Sequence, residues 1–540
     1  MFTNADAAPG WLRDPVLGTA WRLAPGVSFR SEPFGGMAND FESRRLTFVR
    51  SPQAAAVLEM LDGRTTVLEA CRRLSLDDRA VPAIGRALQT LVDKQLLVRH
   101  DDETTSAGSP VPLGRPADPT GASRPPVRAV PAPSTHPAPS ERTGTRLADQ
   151  LSEGLDAPIC ITWELTYACN LACTHCLSSS GRRDPAELST AECERVIDDL
   201  ERMHVFYANV GGGEPTVRRD FWYLLDYACD HHLGIKFSTN GTRIDRRAAE
   251  RLAHNRSVDV QISLDGATAE VNDAIRGVGS HAAALAAMER LGDAGVTGFK
   301  LSVVATRHNV DQLDELASLA DRYGAQLRVT RLRPSGRAAD IWDDLRLTDA
   351  HQRLLFAWLH EHGDRVLTGD SFFHLGALGA PLPGINLCGA GRIVCLIDPV
   401  GDVYACPFTI HEAFRAGNVR SEGGFSQVWQ HSSHFASLRS AQPGETCASC
   451  GAVGICRGGC MAAKFFTGRA LDDPDPECVT GHALVGPASA SSRPAPTGDH
   501  SRRRHGTPVT IVRRKDTDTA GFRAGAGAGA GSSHLEVARG

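Results

Sequence analysis

The stretch Ile159–Cys176, "ICITWELTYACNLACTHC", decides how the rest of the chain is read. It begins as a run of β-branched and aromatic residues, which predicts a strand, and breaks into a loop carrying Cys169, Cys173 and Cys176 at C-x3-C-x2-C spacing. A zinc knuckle takes four ligands. His175 lies between two of the cysteines and is too constrained to bend back onto a metal they share. A cubane iron–sulfur cluster accepts three cysteines and keeps one iron open, and an open iron can chelate the amine and carboxylate of an amino acid.

Working outward, the strand-then-helix rhythm repeats. "ICITWEL", "FYANVGG", "GIKFSTN", "VDVQISLDG", "FKLSVVAT" and "QLRVTRL" are strand candidates. Helical segments separate them, among them "LSTAECERVIDDLERM", where Ser189 and Glu192 form a capping box. Six such units predict an α/β fold with a parallel, partial (βα)6 TIM-like barrel. In such sheets ligands sit at the C-terminal ends of strands. The second strand ends in "GGGEP" (Gly211–Pro215), where glycine lets a ligand approach the backbone and Glu214 can pair with an ammonium group. The third ends in "STNG" (Ser238, Thr239, Asn240) and the fourth in "QISLDG" (Gln261, Ser263, Asp265), offering the hydroxyl and amide partners a ribose needs. "RLRPSGR" after the sixth brings guanidinium groups suited to a carboxylate. Each motif alone is ordinary turn chemistry; recurrence at successive strand ends is the signal.

The chain has 540 residues and a formal net charge of −5, which predicts several domains and gives no electrostatic reason for a nucleic-acid partner. No apolar run is long enough for a membrane span, and the opening residues lack a signal pattern, so a cytoplasmic protein is expected. In a reducing compartment its clustered cysteines point to metal or catalysis rather than disulfides. Cys388, Cys395, Cys406, Cys447, Cys450, Cys456, Cys460 and Cys478 form a second group, enough for two four-ligand sites. A zinc ribbon is the plainer alternative. Cys71, Cys160, Cys193 and Cys229 read as small buried hydrophobes.

Ten prolines between residues 110 and 139 mark an extended tether. The predicted organisation is a small domain at 1–102, a Pro-rich linker at 103–150, a core at 151–340, a cysteine-rich extension at 341–484 and a disordered tail at 485–540. In the first domain "VSFRSE" and "RRLTFV" read as strands. "SPQAAAVLEMLDG" reads as a helix capped by Ser51, begun by Pro52 and ended by Gly63, and "AVPAIGRALQTLVDKQLL" as another. That is a winged-helix-like α+β fold, without the concentrated basic helix that DNA binding requires.

These motifs resemble the radical S-adenosylmethionine (SAM) family. Its cysteine loop matches Cys169, Cys173 and Cys176, with His175 in a slot that is usually aromatic. Its GGE motif, which binds the SAM amine, matches Gly212, Gly213 and Glu214; its ribose contacts correspond to Ser238, Asn240 and Ser263, and its carboxylate-binding arginine to Arg331 or Arg333, with Arg331 preferred. The resemblance implies that SAM occupies the open iron, accepts one electron and splits into methionine and a 5′-deoxyadenosyl radical. The C-terminal cysteines resemble the SPASM extension of peptide-modifying relatives. This implies two auxiliary [4Fe-4S] clusters, one on Cys388, Cys406 and Cys460 with Cys395, the other on Cys447, Cys450, Cys456 and Cys478.

Longer strings, including "TWELTYACNLACTHCLSSSGRRDP", "VGGGEPTVRRDFW", "NLCGAGRIVCLIDPVGDVYACPF" and "CRGGCMAAKFFTG", resemble the mycofactocin radical SAM maturase family over residues 158–482. The N-terminal "SFRSEPFGGMANDFESRRLTFVRS" resembles that pathway's precursor-peptide chaperones, here fused through the tether. The resemblance implies a ribosomal precursor peptide ending in Val-Tyr, oxidative decarboxylation of the tyrosine, a Val-Tyr carbon–carbon crosslink, and a flavodoxin- or ferredoxin-type electron donor. Competing expectations are another SPASM enzyme, such as a thioether cyclase or sulfatase maturase, and a non-catalytic zinc peptide adaptor. A tether of about 45 residues reaches roughly 35–40 Å. Loss of activity at low peptide is therefore expected when it is cut.

Overall fold

The computed structural model describes residues 14–99 and 151–481, apart from 42, 44, 152, 153, 256, 370, 371 and 385. The whole of the predicted Pro-rich linker and the whole of the predicted tail lie outside the described residues. No helix among the described residues is long and apolar enough to cross a membrane.

Among its described residues the N-terminal domain carries six strands: β1 (Ala20–Leu23), β2 (Val27–Glu32), β3 (Gly35–Asp40), β4 (Arg45–Val49), β5 (Asp62–Thr66) and β6 (Leu97–Arg99). They form two antiparallel sheets, β5-β1-β6 and β2-β3-β4. The helix Pro52–Glu59 starts as expected: the Ser51 hydroxyl accepts from Ala54 N at 3.1 Å and Pro52 opens the first turn. It stops earlier than expected. Gly63 lies in β5 with φ +82° and bends that strand rather than capping the helix. The strand β3, "GGMAND", has no β-branched residue to signal it in the sequence. Its glycines are there because a Cβ on Gly35 would lie 2.0 Å from Val49 O.

Six parallel strands follow: β7 (Cys160–Glu164), β8 (Tyr207–Gly211), β9 (Gly234–Thr239), β10 (Val258–Ser263), β11 (Lys300–Ala305) and β12 (Gln326–Arg331). All six fall on the expected segments. Along each strand apolar residues facing the helices alternate with half-buried residues facing the lumen, as in Ile161 and Trp163 against Cys160 and Thr162. Ser189 and Glu192 form the expected capping box on the helix Thr190–Arg202.

The sheet does not end at β7. Strand β13 (Val394–Ile397) pairs in parallel with it, Cys395 opposite Ile161, and β14 (Asp402–Tyr404) and β15 (Arg415–Asn418) continue antiparallel. One nine-stranded sheet therefore joins barrel and cysteine-rich extension.

The N-terminal domain also packs on the barrel directly, so the tether is not its only hold. Across β2-β3-β4, Phe29, Ala38 and Thr47 stand in one cross-strand row and Arg30, Met37 and Phe48 in the next. Strand alternation sends these rows to opposite faces. Phe29 and Ala38 meet the domain's own core. Met37, Phe34, Leu46 and Phe48 instead share a cluster with Leu151, Leu155, Ile159 and Phe206. Arg30, 7 % exposed, donates to the carbonyls of Ala157, Pro158 and His204 at 2.8–3.0 Å, pairs with Glu32 at 2.7 Å and stacks over Phe206. All these barrel groups precede or begin the strands, at the end opposite the cysteine loop.

Candidate functional site

The cysteine loop leaves β7 at its C-terminal end and is held from three sides. Cys169 N donates to Gly181 O at 3.0 Å, which closes the loop on itself. Thr174 N donates to Ile275 O at 2.9 Å. Arg337 donates from Nε to Cys173 O (2.8 Å), from NH1 to Ser180 O (2.9 Å) and from its backbone to Cys176 O (2.9 Å). Gly336, at φ +58°, is needed for that embrace, because a Cβ there would lie 2.3 Å from Leu177 O. Burial, reinforced by the Cys176 and Cys173 thiols and eased by the Leu171 N–H, pushes Cys169 up to about 12; burial also raises Cys173. Thiols so disfavoured as thiolates suit a strongly cationic partner that takes them deprotonated.

The glycine turn after β8 runs against the same loop. Gly213 N donates to Thr166 O at 2.7 Å and Glu214 N to Ala168 O at 2.9 Å. A Cβ on Gly212, whose φ is +116°, would lie 2.5 Å from Thr166 O, and one on Gly213 2.1 Å from Ala168 O. Two glycines are thus required by backbone approach alone. Glu214 is 1 % exposed and accepts from Thr216 N and Oγ1, Thr239 Oγ1 and Asn240 N. Burial raises its pKa, and those hydrogen bonds oppose the rise. It ties the ends of β8 and β9 together and brings Asn240 to the cysteine loop, where Asn240 Nδ2 donates to Asn170 Oδ1 at 2.9 Å. Ser238 and Ser263 lie half-buried at the ends of β9 and β10.

Three expectations need correction. Arg331 is not available to a ligand carboxylate: it meets Glu477 at 2.5 Å and Asp475 at 2.6 and 3.0 Å, all buried. The sequence concealed this because both acids lie about 145 residues away. Asp265 does not face a ribose. It is fully buried, pairs with His175 and Arg276 at 2.6 Å each and accepts from Val304 N. Burial works against the charge, but Arg276 and His175 hold the carboxyl below its ordinary range. The third is Cys395, which is fully buried in the main core beside Cys160. Cys406 instead has the Cys388 and Cys460 thiols as neighbours. Strand phase on β13 turns Cys395 inward, which counting cysteines cannot reveal.

Cys388, Cys406 and Cys460 are thus neighbours without Cys395. The second C-terminal set, Cys447, Cys450, Cys456 and Cys478, lines one cavity with His374 and Asp475. Asp475 also accepts from Cys460 N at 2.7 Å, so it stands between the two sets. Burial, then Asp475, pushes Cys456 up to about 12. All three cysteine groups offer sulfur alone, the chemistry that would select iron–sulfur groups, and among the described residues none is drawn together tightly enough to hold a single metal ion. Cys71 and Cys193 are buried core thiols as expected; Cys160 faces the barrel lumen, near Asn209 Nδ2.

Comparison with known proteins adds three family matches: the radical SAM superfamily over residues 163–320, the peptide chaperone MftB family over 20–98 and an iron-sulfur cluster-binding domain over 388–451. The chain is 66% identical over 368 residues to mycofactocin maturase MftC of Mycolicibacterium smegmatis, covering 68% of this chain and 94% of that protein. It is 64% identical over 370 residues to the Mycobacterium tuberculosis H37Rv protein of that name, covering 68% and 95%. Among solved structures, Streptococcus suis SuiB bound to S-adenosylmethionine superposes with a TM-score of 0.61 at 16% identity, over 85% of this chain and 99% of that one. That match speaks to the fold.

Proposed function

The chain belongs to the mycofactocin maturase family of radical SAM enzymes, and from that premise we propose that it oxidatively decarboxylates the C-terminal tyrosine of a precursor peptide ending in Val-Tyr and then joins valine to tyrosine by a carbon–carbon bond. The family takes SAM and [4Fe-4S] clusters. Cys169, Cys173 and Cys176 would hold the SAM-binding cluster, and the two C-terminal cysteine sets the auxiliary ones. Bound beside those three loop cysteines, SAM would supply a 5′-deoxyadenosyl radical, the chemistry that starts each turnover.

The chain's own residues bind and orient. Gly212 and Gly213 bring backbone within reach of the SAM amine, with Glu214 behind them. Ser238, Asn240 and Ser263 face the ribose, and the lumen below the mouth shields the reacting tyrosine from water. The N-terminal domain holds the leader, by strand addition to a sheet edge, and a flavodoxin- or ferredoxin-type protein in the cytoplasm delivers electrons. The supporting observation is the juxtaposition of the three-cysteine loop with a glycine turn that tolerates no side chain, at the C-terminal ends of the paired strands β7 and β8.

Mass spectrometry of a Val-Tyr-ending peptide after anaerobic reaction with the reconstituted protein tests the reading. The expected product has lost carbon dioxide. A thioether or an unchanged peptide overturns it.

A further inference from the structure

Beneath the mouth, the lumen of the barrel holds two cations that the proposed roles leave unused. Lys236 on β9 and Arg328 on β12 occupy lumen-facing, half-buried positions, while their strand neighbours Ile235, Phe237, Leu327 and Val329 are buried toward the helices. Lys236 Nζ lies 3.7 Å from the centroid of the Tyr207 ring. Arg328 NH1 donates to Gln261 Oε1 at 2.8 Å. Neither makes an ion pair among the described residues. The nearby acid on β10, Asp259, is paired with Lys300 at 3.3 Å.

Lys236, Arg328 and Lys300 thus share the carboxylate of Asp259, which stands opposite Lys236 and attracts both it and Arg328, and the surplus positive charge is costly in a desolvated space. Burial depresses the proton affinity of both; Cys160 and Asp259 oppose the shift at Lys236, and Tyr207 and Asp259 oppose it at Arg328, without cancelling it, while the Arg328 guanidinium adds to it at Lys236. A buried charge of this kind is compensated when a ligand brings the opposite one. The seat is also linked to the mouth. Gln261, which receives Arg328, donates from Nε2 to Ser238 Oγ at 3.0 Å, so two hydrogen bonds separate Arg328 from a side chain at the strand ends.

We propose that Lys236 and Arg328 form the seat for the terminal carboxylate of the peptide substrate, drawing its last residue down the lumen beneath the mouth. This deepens the Val-Tyr reading and rests on it for the ligand's source. A guanidinium and an ammonium facing one space suit a carboxylate, which accepts from both. The role is binding and register: only a chain end carries this group, so an internal Val-Tyr is refused.

The test uses the full chain with its clusters and SAM bound, under anaerobic conditions, and two probes: a peptide ending in Val-Tyr as free acid, and the same peptide as C-terminal amide. Affinities are measured for the wild type, Lys236→Met and Arg328→Gln. Wild type should favour the acid by about tenfold or more, the scale of a charge-assisted hydrogen bond. Each variant should lose that preference while keeping its affinity for the amide, its affinity for SAM and its cluster absorbance. Equal acid and amide affinities in the wild type overturn the seat, as does a preference that survives both substitutions. Weakened SAM affinity in the variants also overturns it, assigning the cations to the methionine carboxylate. The two readings fail separately: discrimination without decarboxylation keeps the seat and sinks the reaction, and decarboxylation without discrimination does the reverse.

Discussion

The two ends of the barrel are built on opposite rules. At the C-terminal ends of the strands, buried polar groups hold one another: Glu214 takes four hydrogen bonds, Asp265 two cations, Arg337 two carbonyls of the cysteine loop. At the N-terminal ends, Met37, Phe48, Ile159 and Phe206 make an apolar plug with Arg30 at its edge. The mouth fixes geometry by saturating hydrogen bonds; the closed end fixes position by excluding water. Polar networks tolerate few substitutions, whereas an apolar contact weakens in proportion to what is removed.

The comparison breaks most severely at Cys173. Cys173→Ala should remove 5′-deoxyadenosine formation altogether and about four of roughly twelve irons, read by iron analysis and chromatography. Equal deoxyadenosine from variant and wild type would overturn the site. Gly213→Ala comes next. Its new methyl would meet Ala168 O, and about 4 kcal/mol or more of stability should be lost on urea unfolding, with the cluster. A neutral result would mean the turn is not held against the loop.

At the closed end, Arg30→Ala leaves Glu32 and three carbonyls buried without their donor. The expected cost is about 3 kcal/mol. It should appear as release of the N-terminal domain after proteolysis within residues 103–150, while wild type cut in the same way stays associated. If cut wild type separates, the tether and not the contact holds the domain.

The smallest effect sharpens the contrast through pH. Burial, reinforced by Asp398, pushes Glu164 at the mouth up to about 8. Unfolded, it titrates near about 4.3. The native state thus holds a proton that the unfolded chain has lost, and stability falls as pH rises from about 4.5 to 8. Glu164→Gln should flatten that slope by about 1 kcal/mol per pH unit near neutrality, measured by denaturation at pH 6.5 and 7.5.

What the sequence made legible follows from locality. The six barrel strands, Ser51, Pro52 and the Ser189 capping box are set by residues within a few positions of one another, and all were found. The cysteine loop and glycine turn were legible for the same reason. Arg331 went astray because its partners, Asp475 and Glu477, are brought to it only by the fold, and Cys395 because strand phase, not count, decides where a thiol points. Lys236 and Arg328 carried no motif. They stand out only once both strands line one lumen, where with Lys300 they share the carboxylate of Asp259.

The parallel pairing of β7 with β13 has a consequence for synthesis. When β7 leaves the ribosome, the strand that will cover its flank lies more than two hundred residues downstream. At usual elongation rates that interval is roughly ten to fifty seconds. Throughout it a row of unmatched amides stays open to other nascent chains, so slow translation or crowded expression should favour inclusion bodies over holoenzyme.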